Sequence, residues 1–209
     1  MTRGLRGRGL YVITPGAIPD LLDRTAAALN GGAVVVQYRD KTGDASRRLH
    51  EACALRSLCA EHGVRLIVND DIELAARCGA DGVHLGEDDA SVTVARLRLG
   101  ADAIIGVSCY DNPERARRMA ARGADYLAFG AFHPSPTKPW ARRADPGLLR
   151  DARALGLPLV AIGGITPDNG RPLVHAGADF LAVISGVYAA ADSEAAARRY
   201  ADLFDHQDD

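Results

Sequence analysis

Eight short apolar runs, each followed by a stretch with helical spacing, constrain what this chain can fold into. The runs begin at Leu10 (LYVIT), Val34 (VVVQYRD), Arg65 (RLIVND), Gly82 (GVHLG), Ile104 (IIGVSC), Tyr126 (YLAFGAF), Leu159 (LVAIGGI) and Phe180 (FLAVISG). Nearly continuous apolar runs that alternate with helices are typical of parallel strands covered by helices. Eight such units predict an α/β fold, a closed (β/α)8 TIM barrel in a single domain. An open doubly wound sheet is disfavoured, since no GxGxxG follows the first run.

The two ends of the chain differ in composition from the barrel pattern. The basic, glycine-rich opening MTRGLRGRG predicts a flexible N-terminal segment over residues 1–9. The closing residues 205–209 are expected to form an acidic C-terminal tail. The catalytic barrel domain is then predicted over residues 10–204. With 209 residues, 47% of them hydrophobic, the chain suits one core of this size.

Overall charge and cysteine usage exclude several classes of partner. The formal net charge of −2 gives no basic surface of the kind that nucleic-acid binding needs. The four cysteines show no CxxC spacing, and the six scattered histidines do not sit at zinc-ligand spacing with them. We see no leader and no long apolar run. These features predict a cytoplasmic protein with small-molecule partners, no nucleic acid and no membrane contact, and they leave a homo-oligomer open.

The run that begins at Tyr126 opens into a loop of different chemistry. In PSPTKP, prolines surround Ser135, Thr137 and Lys138. Prolines lower the entropy lost when a loop is ordered, and hydroxyl and ammonium groups are donors for an anion. An ordinary polar surface turn is the alternative. Because catalytic loops of TIM barrels follow the strands at their C-terminal ends, the position of this loop favours a functional site.

Cations follow the second predicted strand. Arg39 and Lys41 in QYRDK, together with Lys138, would present three positive charges to a multiply charged anion. Gln37 and Arg39 share a strand face, so both point into the barrel mouth if either does. The alternative for the two strand-2 cations is a solvated ion pair with Asp40 and nearby acids.

Acidic residues follow the third and fourth predicted strands, in VNDD and GEDDA. Carboxylates of adjacent strands can converge on Mg²⁺, which typically takes one or two carboxylates together with substrate phosphate oxygens. Asp70 and Asp89 are the predicted Mg²⁺ pair. Asp71 and Asp88 are the candidates for helix N-caps.

Glycines end the seventh and eighth runs, in GGIT and ISGV. There a backbone N–H can approach a phosphate closely, and many barrels bind phosphate after these two strands. Gly164 and Ser185 therefore predict a monophosphate subsite, separate from the diphosphate subsite near the cations and the metal acids. His84, within an apolar strand, is predicted to be a hydrogen-bonded core residue rather than a base.

Together these segments resemble the thiamine-phosphate synthase family. The matching motifs are QYRDK, IVNDD, GADGVHLGEDDA, IIGVS, GADYLAFGAFHPSPTK, AIGGIT and AVISGV, in the order of the family and on the predicted strand ends. The resemblance implies a TIM barrel that joins a hydroxymethylpyrimidine diphosphate to a thiazole phosphate, or to its carboxylated form, and releases diphosphate. It also implies Mg²⁺ as cofactor and a dissociative displacement by the thiazole nitrogen.

The resemblance also assigns residues, position by position. It implies that the pyrimidine diphosphate is bound by Gln37, Arg39, Lys41, Asn69, Ser108 and Lys138. It implies Asp70 and Asp89 as Mg²⁺ ligands, and it places Ser135, Thr137, Gly164, Ile184 and Ser185 at the thiazole phosphate. Charge stabilisation during the reaction is expected from Ser108, Lys138 and Arg39. The family often has Thr in place of Ser135 and Gln in place of Glu87, which leaves the role of Glu87 open.

Three other functions compete with this one. A thiazole tautomerase has a similar fold but acts on one monophosphate, so it would not need the cations and acids of the diphosphate subsite. An isomerase barrel would need an acid–base pair that LYVIT does not supply. A non-catalytic thiamine-phosphate-binding protein would share the site without turnover.

Overall fold

The computed structural model describes residues 4–134 and 143–205. Eight parallel strands close into a barrel in sequence order, β1 to β8, with β8 paired to β1. The strands are β1 (Gly9–Ile13), β2 (Ala33–Tyr38), β3 (Arg65–Asn69), β4 (Gly82–Leu85), β5 (Ile104–Tyr110), β6 (Tyr126–Phe129), β7 (Leu159–Ile162) and β8 (Phe180–Val183). The predicted (β/α)8 barrel is confirmed.

Helices alternate with the strands along the described chain. They are α1 (Leu21–Asn30), α2 (Ala45–Glu61), α3 (Ile72–Cys78), α4 (Val92–Leu99), α5 (Pro113–Ala121), α6 (Gly147–Ala152), α7 (Pro167–His175), α8 (Ser185–Tyr188) and α9 (Ser193–Ala201). A 3-10 turn at Arg153–Leu155 follows α6. Across the described ranges, none of these helices combines the length and the apolar character that crossing a bilayer requires.

Alternation along each strand divides the buried side chains into two cores. Leu10 and Val12 of β1 belong to the larger core, between the sheet and the helices. Tyr11 and Ile13 of the same strand belong to the smaller one, which fills the barrel. Inward-facing residues of a TIM barrel normally pack as layers of aliphatic side chains. Here two tyrosines, Tyr11 and Tyr126, take part in that interior.

The last three strands are shorter than the apolar runs that predict them. They end at Phe129, Ile162 and Val183, before the glycines and polar residues of each run. In the eighth run the chain leaves the strand at Ile184 and enters α8 at Ser185. Apolar composition alone does not show where strand pairing stops. Most of the extra residues line the mouth of the barrel, whereas Phe132 packs in the larger core.

Part of the N-terminal segment packs against the barrel. Leu5 is buried with the interior core, and Arg8 donates to the carbonyl oxygen of Ala178 at 3.1 Å. The β1 strand begins at Gly9, one residue before the predicted barrel start. Leu5 and Arg8 thus contact the barrel, and the flexibility of residues 1–9 stays a prediction.

Candidate functional site

A cavity of about 620 Å³ opens at the C-terminal ends of the strands. Such cavities are where TIM-barrel enzymes place their chemistry. Seven residues that the sequence analysis proposed for the site line it: Gln37, Arg39, Asn69, Ser108, Gly164, Ile184 and Ser185. They come from strands or strand ends on opposite sides of the barrel, so only closure of the sheet brings them to one cavity.

Three of the predicted site residues, Ser135, Thr137 and Lys138, lie outside the described residues. The chain leading to them is described as far as Pro134, which borders the cavity. His133 is held beside the β7 end by a hydrogen bond from its N–H to the carbonyl oxygen of Gly163, at 2.9 Å. The roles proposed for the three loop residues stay predictions.

The backbone at Arg39 is held in place by a buried threonine. The Thr14 hydroxyl accepts from the N–H of Arg39 at 2.7 Å and donates to its carbonyl oxygen at 3.0 Å. Asp40, the partner suggested by the ion-pair alternative, instead pairs with Arg47 at 2.6 Å. Burial raises the pKa of Asp40, but hydrogen bonds from Thr42 and Arg47 outweigh it and hold that pKa below its ordinary value. Within the described residues no ion pair neutralises Arg39, which leaves its charge for a ligand.

Two carboxylates meet beside the cavity, at the ends of β3 and β4. The Asp89 carboxylate accepts from the N–H of Gly86 at 2.5 Å. Asp70 has a φ of 62°, a left-handed conformation that Asp tolerates better than most residues. Burial raises the pKa of Asp89, and contact with the Asp70 carboxylate raises it further. The Lys41 ammonium donates a hydrogen bond to the Asp70 carboxylate, so a cation already offsets part of the negative charge of the pair.

These two carboxylates suit a hard divalent cation. Closely placed carboxylates repel unless a cation lies near, and Mg²⁺ commonly accepts two of them together with ligand oxygens. Among the described residues no group of three or more His, Cys, Asp or Glu side chains converges on one point. A metal here would therefore draw its other ligands from substrate and water. The assignment of Asp70 and Asp89 to Mg²⁺ stays a prediction that this geometry fits.

The neighbouring acids are placed differently. Asp71 caps α3, because its side chain accepts from the N–H of Leu74 at 2.9 Å. Asp88 lines the cavity, and Ser91 rather than Asp88 caps α4. Of the two predicted N-caps, only Asp71 serves as one.

His84 is buried in β4 and hydrogen-bonded, as predicted. Its Nδ1 lies 2.9 Å from the hydroxyl of Tyr126, and its Nε2 lies 2.8 Å from Oγ of Ser108. Burial lowers the pKa of His84 to about 4, although the negative charge of Asp89 acts in the opposite direction. The contact of this core histidine with Ser108, a predicted site residue, could not be read from the sequence. The sequence does give a partial indication, since His84 is a polar residue on a strand that is otherwise apolar and therefore needs a buried hydrogen-bond partner.

Arg115, at the start of α5, was also missed. It is buried, and it donates from Nε to the carbonyl oxygen of Ser108 at 2.7 Å and from Nη2 to that of Gly86 at 2.9 Å. One guanidinium thus connects the ends of β4 and β5, the strands that carry Asp89 and Ser108 into the site. In the sequence, Arg115 stands in the arginine-rich stretch ERARR and looks like an ordinary surface residue of a helix.

The predicted monophosphate subsite lies across the cavity, at the ends of β7 and β8. Gly164 has a φ of 61°, and a Cβ there would come 2.3 Å from the carbonyl oxygen of Pro134. At Gly186 a Cβ would come 2.1 Å from the hydroxyl of Tyr200. Side chains other than hydrogen do not fit at either position without movement. Glycine at these two positions is therefore required by the packing of the chain against itself. Ile184 and Ser185 line the cavity beside them.

Comparison with known proteins places this architecture in context. A family model described as thiamine monophosphate synthase matches residues 10–187. A thiamine-phosphate synthase of Chromobacterium violaceum is 56% identical over 201 residues, covering 95% of this chain and 97% of the relative. One of Xanthomonas campestris is 59% identical over 195 residues, covering 92% and 94%. The solved thiamine phosphate pyrophosphorylase of Pyrococcus furiosus superposes with a TM-score of 0.85 at 34% identity, covering 93% of this chain and 94% of the other.

Proposed function

Because the chain belongs to the thiamine monophosphate synthase family, we propose that it joins a hydroxymethylpyrimidine diphosphate to a thiazole phosphate. The carbon–oxygen bond between the pyrimidine methylene and the diphosphate breaks, and the diphosphate leaves with the electron pair. The thiazole nitrogen forms a new bond to the same methylene carbon. The products are thiamine phosphate and diphosphate, and the carboxylated thiazole is a second candidate for the acceptor substrate.

The observation that carries this proposal is a cavity lined by Arg39 and Ser108, with the Asp70–Asp89 pair at the ends of the two strands that lie between them. A diphosphate bears several negative charges, and leaving is favoured when donors and cations already surround the position it occupies. Arg39 has a fixed backbone and no ion-pair partner among the described residues. Its guanidinium can bind two oxygens of one phosphate group at once.

Lys41 and Asn69 complete the described part of the proposed diphosphate subsite. Lys41 forms an ion pair with Asp70, so its ammonium lies beside the carboxylate pair. Lys138 is proposed as a further cation at the leaving group. When bound at Asp70 and Asp89, Mg²⁺ would neutralise charge on the departing diphosphate.

No side chain is required as a nucleophile in this reaction. The thiazole nitrogen attacks, and the protein orients two substrates and stabilises charge. The thiazole phosphate is proposed to bind near Gly164, Ile184 and Ser185, on the opposite side of the cavity. That separation directs the thiazole ring toward the middle, where Ser108 faces the reacting carbon.

The test is release of diphosphate when both substrates and Mg²⁺ are present. Omission of either substrate or chelation of the metal should abolish it. Asp70→Asn and Asp89→Asn should each lower the rate on the order of 10²-fold or more, as for other charge-stabilising groups.

Asp71→Asn is the matched control. It makes the same substitution at the next residue, and Asn still caps a helix, so the rate should stay close to that of the wild-type protein. Equal losses in all three variants would contradict the assignment of the metal ligands. Turnover of the thiazole phosphate alone, with no diphosphate formed, would replace the synthase proposal by the tautomerase alternative.

A further inference from the structure

An unbroken series of hydrogen bonds crosses the barrel interior along the wall of the cavity. Gln37 Nε2 donates to the hydroxyl of Tyr11 at 2.8 Å, and that hydroxyl lies 2.9 Å from the hydroxyl of Tyr126. Tyr126 lies 2.9 Å from Nδ1 of His84, and Nε2 of His84 lies 2.8 Å from Oγ of Ser108. All five residues of the series line the cavity, although the two tyrosines are almost completely buried.

The members of this series are placed with little freedom. They come from five strands, β1, β2, β4, β5 and β6. Tyr126 is fully buried, and its ring stacks on His84 with centroids 5.5 Å apart. Gly106 makes room for that ring, because a Cβ there would lie 1.9 Å from Tyr126 Cζ. Buried polar groups are costly unless every one of them is bonded, so this interior depends on a complete network.

Proton counting leaves the network two fully bonded states. A phenol has one proton to donate, and a neutral imidazole has one N–H. If Gln37 donates to Tyr11, then Tyr11 must donate to Tyr126, and Tyr126 must donate to Nδ1 of His84. The remaining N–H of His84, on Nε2, then donates to Ser108. The Ser108 proton is left for the cavity.

The opposite state follows if the amide of Gln37 is turned over. Every bond then reverses, Ser108 donates to His84, and its hydroxyl offers the cavity only a lone pair. A charged imidazolium fits neither state, because it would donate from both nitrogens. Burial lowers the pKa of His84 to about 4 and keeps the ring neutral near pH 7.

We propose that Tyr11, Tyr126 and His84 are positioning residues that fix Ser108 as a hydrogen-bond donor toward the cavity. Whether Ser108 donates or accepts toward the cavity is linked, through these three residues, to the orientation of the Gln37 amide on the far side. The orientation of the Gln37 amide already sets the state in which Ser108 donates, and an anionic ligand beside Ser108 stabilises the same state. In that state Nε2 of Gln37 is committed to Tyr11, so its amide oxygen is the atom left to accept a hydrogen bond from the ligand.

The direction of the network is measurable without any turnover. Long-range proton–nitrogen NMR of protein labelled with ¹⁵N-histidine reports which ring nitrogen carries the proton, and His84→Gln identifies the His84 signals. The expected result near neutral pH is a neutral ring protonated on Nε2, both in the free protein and with inorganic diphosphate and Mg²⁺ added. A ring protonated on Nδ1, an even mixture or an imidazolium would overturn the proposal.

Removal of one hydroxyl tests the positioning role. Tyr126→Phe takes away the donor to Nδ1, so His84 should become a mixture of tautomers, and kcat should fall on the order of tenfold with a smaller change in KM. The matched control is Tyr188→Phe, which also removes a buried hydroxyl, one bonded to Thr25 at 3.0 Å outside the cavity. This control should keep both the His84 tautomer and kcat.

The kinetic part rests on the proposed synthase activity, whereas the tautomer measurement does not. Inactive wild-type protein with His84 protonated on Nε2 would refute the proposed function and support the network. An active protein in which Tyr126→Phe changes neither the tautomer nor kcat would refute the positioning role alone. Should Tyr126→Phe fail to fold, the tautomer measured in the wild-type protein still decides the direction of the hydrogen bonds.

Discussion

The buried neutral state of His84 should make the protein lose stability as the pH falls. Burial lowers the pKa of this residue to about 4 in the folded protein, from an ordinary value of 6.5. Between these two pH values the unfolded chain binds a proton that the folded chain does not. Stability contributed by the neutral ring is therefore fully present above about pH 6.5 and falls as the pH is lowered toward 4.

The size of the effect follows from the two pKa values. Each tenfold difference in proton affinity corresponds to about 1.4 kcal/mol, so the full loss is about 3 kcal/mol. By about pH 5 roughly 2 kcal/mol of this should be gone. That is a substantial share of the stability of an ordinary domain, which is about 5–15 kcal/mol.

Urea unfolding of the wild-type protein and of His84→Gln isolates this contribution from that of the carboxylates. Glutamine cannot take up the proton, yet its amide can still accept from Tyr126 and donate to Ser108. The free-energy difference between the two proteins should shift by about 2 kcal/mol against the wild type between about pH 7 and about pH 5. A difference that stays constant over this range would show that His84 titrates normally in the fold, and the reasoning from burial would be wrong.

Three further substitutions test individual contacts. Asp71→Ala removes both the α3 cap and the ion pair with Arg48 and should cost about 1 kcal/mol in urea unfolding. Asp71→Asn keeps the cap and should cost less, so equal costs would show that the ion pair, and not the cap, makes the contribution. Gly106→Ala forces the Tyr126 ring to move, so it should lower the free energy of unfolding by about 1–3 kcal/mol, and His84 should no longer be held as the Nε2 tautomer. An unchanged melting temperature would count against the packing of Tyr126 on Gly106. Gly164→Ala places a Cβ against Pro134 at a positive φ, and calorimetry should show weaker thiazole-phosphate binding with diphosphate binding kept. Equal weakening of both ligands would contradict two separate subsites.

The sequence by itself determined the barrel and the edge at which its chemistry lies. Eight apolar runs separated by helical stretches have few other solutions, and polar residues such as Arg39 and Asp70 stand where those runs end. Strand periodicity also placed His84 correctly in the interior. The sequence did not determine where β6 and β7 end, because the residues that follow Phe129 and Ile162 are as apolar as the strands themselves.

Only the tertiary structure decided which polar groups act on one another. Asp70 and Asp71 are adjacent in sequence, yet a left-handed φ turns Asp70 toward Asp89 while Asp71 caps a helix. The Tyr11 and Tyr126 hydroxyls, 115 positions apart in the chain, share a hydrogen bond only because the barrel closes. Periodicity reports the face on which a side chain lies, but a hydrogen bond also needs a partner within about 3 Å, and strand register and barrel closure set that distance.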